Sequence, residues 1–297
     1  MVWTSGWKLA SAVSNAGALG LIGSGSMYPN VLKQHIQKCK AATSKPFGIN
    51  IPLLYPDIEK HIQIVLDEEI KIVFTSAGNP KTWTPILKQY GVTVVHVVSS
   101  SMFAKKAEDA GCDAVVAEGF EAGGHNGREE TTTMVLVPAV KEAVQIPVLA
   151  AGGIATGRQM LAAMVLGADG VQVGSRFVCS NEASDHISYK QLIVNSKEGD
   201  TMLSLKKIVP VRLFKNRFFE TINEAESKGA TKEELAKILG HGRAKKGMLE
   251  GDLDEGELEI GEVAALIKDI KPAAGIVEEI WNDYTVAVKG LTDQRLI

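Results

Sequence analysis

Two glycine-bearing turns, each at the end of a short apolar run, give the strongest chemical signal in this sequence. They lie in the segments VLAAGGI (148–154) and GVQVGSR (170–176). Glycine at such turns lets phosphate oxygens approach bare backbone N–H groups, and it tolerates positive φ angles. In phosphate-binding barrels the loops after the last two strands form the phosphate site, so these turns predict one shared phosphate site. The residues concerned are Gly152, Gly153, Gly174 and Ser175.

A third glycine-rich loop, AEGFEAGGHNG (117–127), contains a candidate acid–base group. His125 lies in this loop with glycines on both sides, close to Glu118 and Glu121. An imidazole titrates near neutral pH and can donate or accept a proton during a reaction. Because the loop directly follows an apolar run, it is predicted to lie at the carboxyl end of a strand, where barrel enzymes place catalytic groups. We therefore predict a catalytic role for His125.

The remaining histidines and cysteines carry weaker signals. His96 lies in the middle of an apolar run and is interpreted as a buried core or barrel-lining residue. No spacing of His, Cys, Asp and Glu is typical of a zinc or iron site, so no metal site is predicted. The three cysteines are too scattered for a disulfide framework or a thiolate metal site. They are Cys39, Cys112 and Cys179.

Short β-branched runs alternate with amphipathic stretches through the first 177 residues. Their apolar residues are nearly continuous, as is typical of parallel strands buried on both faces. The alternation predicts an α/β fold of the (β/α)8 TIM-barrel type. Only seven strands are predicted, so the first strand is expected to be missing because the chain begins late or at an internal methionine. The alternative is an open seven-stranded sheet. The predicted strands are 19–23, 47–54, 70–77, 92–99, 113–119, 147–153 and 170–177.

The sequence changes character after residue 178 and predicts three parts. Residues 1–178 form the barrel, 179–256 a helical cap or insertion that covers the barrel mouth, and 257–297 C-terminal helices that return to the barrel. The cap ends in a glycine-rich charged connector, GRAKKGMLEGDLDEG (242–256). The apolar spacing at 260–270 predicts a last amphipathic helix.

The composition excludes several classes of protein. The 297 residues include 32 Lys and Arg against 35 Asp and Glu, a formal net charge of −3, and the pI is about 6.1. Without a basic patch there is no electrostatic footprint for nucleic acid or an anionic membrane. No apolar stretch reaches the roughly 18 residues of a membrane span, and the N-terminus lacks a signal-peptide pattern. A cytoplasmic enzyme acting on a small molecule is predicted.

The glycine loops and their neighbours resemble the nitronate monooxygenase (2-nitropropane dioxygenase) family, which includes the flavin-dependent enoyl-acyl-carrier-protein reductases. The combination of AGGH, AAGGI and QVGSRF is specific to this resemblance, whereas AAGGI alone occurs in several phosphate-binding barrels. Family members start with a strand that ends in a Gly-Gly-Met turn, and Met1 is at the position of that methionine. The matching segments are SAVSNAGALGLIG (11–23), KPFGINI (45–51), TSAGNP (75–80), AEGFEAGGHNG (117–127), PVLAAGGI (147–154) and GADGVQVGSRF (167–177).

The resemblance implies FMN bound at the carboxyl-terminal mouth of the barrel. It assigns the flavin phosphate to the two glycine turns and places His125 near the isoalloxazine ring, as in the reductases. NADH or NADPH is implied as a possible reductant, and homodimers are common in the family. The implied cofactor-binding residues are Asn50, Thr75, Ser76, Glu118, Gly123, Gly124, Gly152, Gly153, Gln172, Gly174 and Ser175.

The resemblance leaves two flavin chemistries open. The monooxygenases oxidise alkyl nitronates with oxygen, and this activity is the first hypothesis. The alternative is an NAD(P)H-dependent enoyl-acyl-carrier-protein reductase of fatty-acid synthesis, which Glu118 favours because monooxygenases often carry glutamine at that position. Two further hypotheses are a flavin-free phosphate-binding barrel enzyme and a non-catalytic truncated barrel.

Overall fold

The computed structural model describes residues 1–293, which form ten strands and twelve α-helices. The strands are β1 (Gly20–Gly23), β2 (Phe47–Pro52), β3 (Ile72–Ser76), β4 (Thr93–Val98), β5 (Ala114–Glu118), β6 (Gly124–His125), β7 (Val148–Ala151), β8 (Gly170–Gln172), β9 (Thr201–Ser204) and β10 (Val211–Phe214). The helices are α1 (Trp7–Asn15), α2 (Pro29–Ala42), α3 (Ile58–Asp67), α4 (Thr84–Gln89), α5 (Ser101–Asp109), α6 (Thr133–Ala143), α7 (Gly157–Val165), α8 (Ser175–Val178), α9 (Ile187–Val194), α10 (Arg217–Ser227), α11 (Lys232–Leu239) and α12 (Ala273–Asp293). None of these helices is long and apolar enough to cross a membrane.

Seven parallel strands form the main sheet in the order β1-β2-β3-β4-β5-β7-β8. Each of these seven strands pairs with the next of the seven, and helices connect them. The sheet is curled into a half-barrel. Within the described residues β1 and β8 are the two edges of this sheet. The predicted TIM-type barrel without its first strand is confirmed.

The first residues of the chain lie in the gap between the edge strands β1 and β8, which we refer to as the seam. The Gly23 N–H donates to the Ser5 carbonyl oxygen, which joins the segment to the end of β1. On the other side, Met1 side-chain atoms lie 3.8 Å from the Cβ position of Gly174. Residues 1–6 therefore line the mouth of the barrel at the seam.

The two faces of the sheet have different partners, as strand periodicity requires. One face packs against the helices in the largest apolar cluster, to which Val73, Val115 and Ala150 belong. The other face points into the half-barrel and carries a smaller apolar layer. Its buried members are Phe74, Val95, Val116 and Ala151.

Helix α12 closes the outer ring of helices across the seam. It packs against α1 and α7, and Gly157 makes the close crossing possible because a Cβ there would lie 2.0 Å from the Tyr284 amide nitrogen. The predicted helix at 260–270 is wrong: the segment contains only a 3₁₀ turn, Glu262–Leu266. Its apolar side chains have helical spacing, but they are buried in an irregular segment packed against the cap.

The segment after α8 contains both helices and strands. Helices α9, α10 and α11 are those of the predicted helical insertion. Strands β9 and β10 were not predicted from the sequence, and they form a three-stranded antiparallel sheet with β6. Val211 of β10 pairs with His125 of β6. The cap is thereby joined by backbone hydrogen bonding to the loop that carries the candidate catalytic histidine.

Candidate active site at the barrel mouth

Four polar side chains form a layer inside the half-barrel at the carboxyl ends of its strands. Asn50, Ser76, Glu118 and Gln172 alternate along their strands with residues that face the helices. Glu118 pairs in register with Ala151, which pairs with Gln172 on the next strand. The Asn50 side-chain amide donates to the Ser76 hydroxyl at 3.3 Å. The fold thus brings together four of the predicted cofactor-binding residues, and we refer to them as the polar layer.

Thr75 lies on the opposite face of the sheet, although it was predicted beside Ser76. Its hydroxyl is fully buried and lies 2.7 Å from Nδ1 of His96. Burial lowers the pKa of His96 to about 4, so the ring is neutral at physiological pH. Side-chain alternation therefore places this pair in the packing between the sheet and the helices, and the Thr75 hydroxyl is outside the polar layer.

Glu118 is the ionisable member of the polar layer. Burial raises the pKa of its carboxyl group to about 7. Removal from water disfavours the charged carboxylate, so near neutral pH this group exists in both protonation states. Glu118 can therefore donate a hydrogen bond to a bound ring when protonated and accept one when ionised.

We expect the raised pKa of Glu118 to make folding stability depend on pH. Between pH 4.5 and 7 the unfolded chain loses this proton while the folded chain retains it, so Glu118 lowers stability as the pH rises. Glu118→Gln removes the effect, and the variant should gain up to about 3 kcal/mol relative to wild type across that window. Urea unfolding of both flavin-free proteins at pH 5 and pH 8 measures the gain.

The control for this comparison is Glu142→Gln, which removes an exposed carboxylate from α6. A stability difference between wild type and Glu118→Gln that is equal at both pH values would contradict the assignment.

The two glycine turns meet at the same end of the barrel and have the shape of an anion cradle. Gly152 and Gly153 have φ angles of 86° and 71°. A Cβ on Gly152 would lie 2.6 Å from the Gly119 carbonyl oxygen, so no other residue fits there without movement. Within residues 1–293 the backbone N–H groups of Gly153, Gly174 and Ser175 have no acceptor. These free donors fit the phosphate of a flavin nucleotide.

The segment that follows the cap, residues 259–261, lies directly on the candidate catalytic loop. A Cβ on Gly123 would lie 2.4 Å from the Ile260 carbonyl carbon, and one on Gly124 would lie 2.6 Å from a Glu259 carboxylate oxygen. The Gly261 N–H donates to the Ser175 hydroxyl at 3.0 Å, which connects this segment to the second glycine turn. Both glycines of the AGGH motif are therefore required by close packing.

His125 and Glu121 have different surroundings although both lie in this loop. The His125 side chain is exposed and has no hydrogen-bond partner in the described part of the chain. The Glu121 carboxylate accepts from the backbone N–H and the hydroxyl of Thr133, at 2.9 and 3.0 Å. Glu121 therefore holds the start of α6, whereas the imidazole of His125 is available to a substrate.

Arg212 of β10 is a site residue that was not predicted from the sequence. The residue is 2% exposed. Its guanidinium donates to the Phe120 carbonyl oxygen at 3.0 and 3.2 Å and lies 4.5 Å from the centre of the Phe120 ring. It also forms an ion pair with Glu262 at 3.0 Å. One side chain thus joins the cap, the loop of His125 and the segment that covers it. The sequence feature that could have indicated this role is a charged arginine within the otherwise apolar run VPVRLF (209–214), where a charge is unexpected unless it has a partner.

We expect Arg212→Met to loosen the loop while the barrel remains folded. The substitution leaves the Phe120 carbonyl without its donors, which costs about 1–3 kcal/mol of stability. Hydrogen exchange should accelerate at residues 120–125 and remain unchanged in β3 and β4. Arg212→Lys should recover only part of the protection because an ammonium group cannot reproduce the planar set of donors. Unchanged exchange in the loop would contradict this role.

No cluster of three or more His, Cys, Asp or Glu side chains that could hold a metal ion occurs within residues 1–293. The mouth therefore offers backbone N–H donors, amide and carboxyl groups, and one exposed imidazole. These groups suit binding of a phosphorylated planar cofactor together with proton transfer.

The known proteins reported below resemble this chain over about three quarters to nearly all of its length. FabK from Thermotoga maritima has a similar structure, with a TM-score of 0.94, 41% sequence identity, and coverage of 99% of this chain and 93% of that one. A probable nitronate monooxygenase from Staphylococcus haemolyticus is 33% identical over 74% of each chain. The (3aS,4S,5R,7aS)-5-hydroxy-7a-methyl-1-oxo-octahydro-1H-indene-4-carboxyl-CoA dehydrogenase of Rhodococcus jostii is 29% identical over 98% of this chain and 92% of its own.

The family assignment rests on the sequence as a whole. The sequence model of the nitronate monooxygenase family matches residues 1–60 and 55–283, which include both glycine turns and the loop of His125. The chain belongs to the nitronate monooxygenase family of flavin-dependent oxidoreductases.

Proposed function

We propose that this protein is an FMN-dependent reductase that uses NAD(P)H to reduce the double bond of an enoyl thioester. The observation that carries the proposal is the likeness to FabK, an enoyl-acyl-carrier-protein reductase, which extends through both the barrel and the cap. The position of Glu118 in the polar layer gives further support, because the resemblance associates a carboxyl group here with the reductases.

The residues of the mouth fit FMN in two places. The free N–H groups of Gly153, Gly174 and Ser175 would hold the phosphate. The polar layer would face the edge of the isoalloxazine ring, with Glu118 able to donate or accept a hydrogen bond. Bound FMN would supply the transfer of hydride from the nicotinamide to the substrate.

His125 would supply the proton that the reduction needs. Hydride addition to the β-carbon of an enoyl thioester leaves negative charge on the α-carbon and the thioester oxygen. An imidazolium close to these atoms can protonate the α-carbon, and its positive charge stabilises the transition state. The exposed, unpaired imidazole on β6 is suited to this role because no other group of the described chain holds it.

Anaerobic reduction of the FMN-loaded protein tests the proposal. NADH or NADPH should bleach the flavin absorbance within seconds, whereas an alkyl nitronate should leave it unchanged. Loss of absorbance with the nitronate alone, and none with either nicotinamide, would contradict the proposal.

The second candidate is nitronate monooxygenase activity on alkyl nitronates, the first hypothesis from the sequence. It is favoured by the family model and by relatives such as the Staphylococcus haemolyticus protein. In this case the imidazole of His125 would serve as an acid–base group for the nitronate. The same anaerobic experiment distinguishes the two candidates.

A further inference from the structure

A second cleft lies in the cap, apart from the polar layer and the glycine turns. It has a volume of about 590 Å³ and lies between the end of α11 and a π-helical turn, Lys245–Leu249. This volume is within the range of small-molecule sites, roughly 300–1,000 Å³. We refer to it as the basic cleft because four cationic side chains and a histidine line it. They are Lys237, His241, Arg243, Lys245 and Lys246.

Two carboxylates, Glu250 and Glu255, also line the cleft, and together with Asp252 they pair with three of its four cations. Lys245 pairs with Glu250 at 2.9 Å, and Arg243 pairs with Glu255 at 3.3 Å. Lys246 forms a similar pair with Asp252 at 2.9 Å.

Two side chains of the cleft are exposed and have no ion-pair or hydrogen-bond partner within residues 1–293. They are Lys237 and His241. Lys237 therefore offers an unpaired positive charge, and His241 a hydrogen-bonding group, to an anionic ligand.

The backbone around His241 leaves space for a ligand. Gly240 and Gly242 flank the histidine with φ angles of 62° and 76°. A Cβ on Gly242 would meet nothing within 4 Å, and one on Gly240 would meet only the Lys237 carbonyl oxygen at 4.0 Å. Two glycines with positive φ make a sharp turn with His241 at its centre.

The basic cleft is joined to the barrel mouth by a short segment. The Glu257 N–H donates to the Arg243 carbonyl oxygen at 3.1 Å, and two residues later the Glu259 carboxylate lies beside Gly124. Two residues of extended chain span about 7 Å. A molecule reacting near His125 could therefore extend a phosphorylated end into the cleft.

We propose that the basic cleft binds the phosphorylated adenosine end of a substrate of the reaction. This inference rests on the proposed reductase function. NADPH carries a 2′-phosphate on its adenosine ribose, and coenzyme A thioesters carry a 3′-phosphate, so the same chemistry fits two sources. Lys237 and His241 bind the ribose phosphate, since they form no ion pair or hydrogen bond within residues 1–293, and the charge of Lys237 is offset only through space by Glu234. NADH lacks this phosphate and binds less tightly.

Binding of two nucleotide fragments to the FMN-loaded, full-length protein tests the proposal. Titration calorimetry with adenosine 2′,5′-bisphosphate and adenosine 3′,5′-bisphosphate separates NADPH from coenzyme A as the source. We expect one of them to bind at least tenfold more tightly than 5′-AMP. Lys237→Gln/His241→Gln should remove that advantage. Lys232→Gln, at the exposed start of the same helix, should retain it.

The outcomes separate this proposal from the proposed function. Preference for the 2′-phosphate assigns the cleft to NADPH, and preference for the 3′-phosphate assigns it to a coenzyme A thioester. Either result supports binding of a ribose phosphate in the cleft. Equal affinity for 5′-AMP and both bisphosphates, or unchanged affinity in the double variant, would overturn it. Failure of NAD(P)H to reduce the flavin would overturn the reductase function instead, and the binding data do not depend on turnover.

Discussion

Replacing His125 with alanine should lower the rate of substrate reduction by about 10²–10⁴-fold while FMN remains bound. The imidazole is exposed on β6 and has no partner in the described residues, so its removal breaks no contact that holds the fold. Reduction of the flavin by NAD(P)H should continue at nearly the wild-type rate, because that step does not use the proton. Stopped-flow measurement of the two half-reactions under argon separates these effects.

A second variant distinguishes proton transfer from simple hydrogen bonding. His125→Gln retains a polar side chain but cannot donate a proton near neutral pH, so it should be almost as slow as His125→Ala. Wild-type turnover in either variant, with flavin content unchanged, would exclude His125 as the acid.

Replacing Gly152 with alanine should weaken FMN binding by about 100-fold or more. The new Cβ would lie 2.6 Å from the Gly119 carbonyl oxygen, so the turn must move away from the phosphate position. The φ angle of 86° adds about 1–2 kcal/mol of backbone strain in a residue with a side chain. Quenching of FMN fluorescence on titration with the protein measures the affinity.

Gly111→Ala is the matched control for this substitution. Gly111 has a φ angle of 87°, almost the same as Gly152, but a Cβ there would meet nothing within 4 Å. Both variants carry the same backbone strain, and only Gly152→Ala should lose FMN. Equal FMN affinity in the two variants would show that Gly152 does not shape the phosphate site.

The sequence predicted the barrel well because its signals are local. Strands buried on both faces give continuous apolar runs, and the helices between them give amphipathic periods. The two glycine turns could be recognised for the same reason, since their glycines directly follow the strands. Seven of the ten strands correspond to these runs.

The structure of the cap and of residues 260–270 depends on contacts with segments that are distant in sequence. β10 becomes a strand by pairing with β9 and with β6, which lies some 85 residues earlier, and no local pattern indicates that pairing. The predicted helix at 260–270 failed for the same reason, because tertiary packing buries its apolar side chains without a helix.

Among the site residues too, those indicated by local sequence were predicted and those that depend on distant contacts were not. The resemblance identified Asn50, Ser76, Glu118 and Gln172, and side-chain alternation then placed all four on the inner face. Alternation also turns the adjacent Thr75 outward to His96, which a motif alone does not reveal. Arg212 could not be recognised because its role depends on contacts with Phe120 and Glu262, both far away in the chain.

The most direct test of the central claim is reoxidation of the reduced protein by an enoyl thioester. The FMN-loaded protein is reduced with one equivalent of NADPH under argon and mixed with crotonyl-coenzyme A, and absorbance near 450 nm is followed. We predict that the flavin absorbance returns in the absence of oxygen, with one butyryl thioester formed per flavin. Flavin that stays reduced until oxygen is admitted would contradict the account and favour the oxygen-dependent chemistry of the monooxygenases.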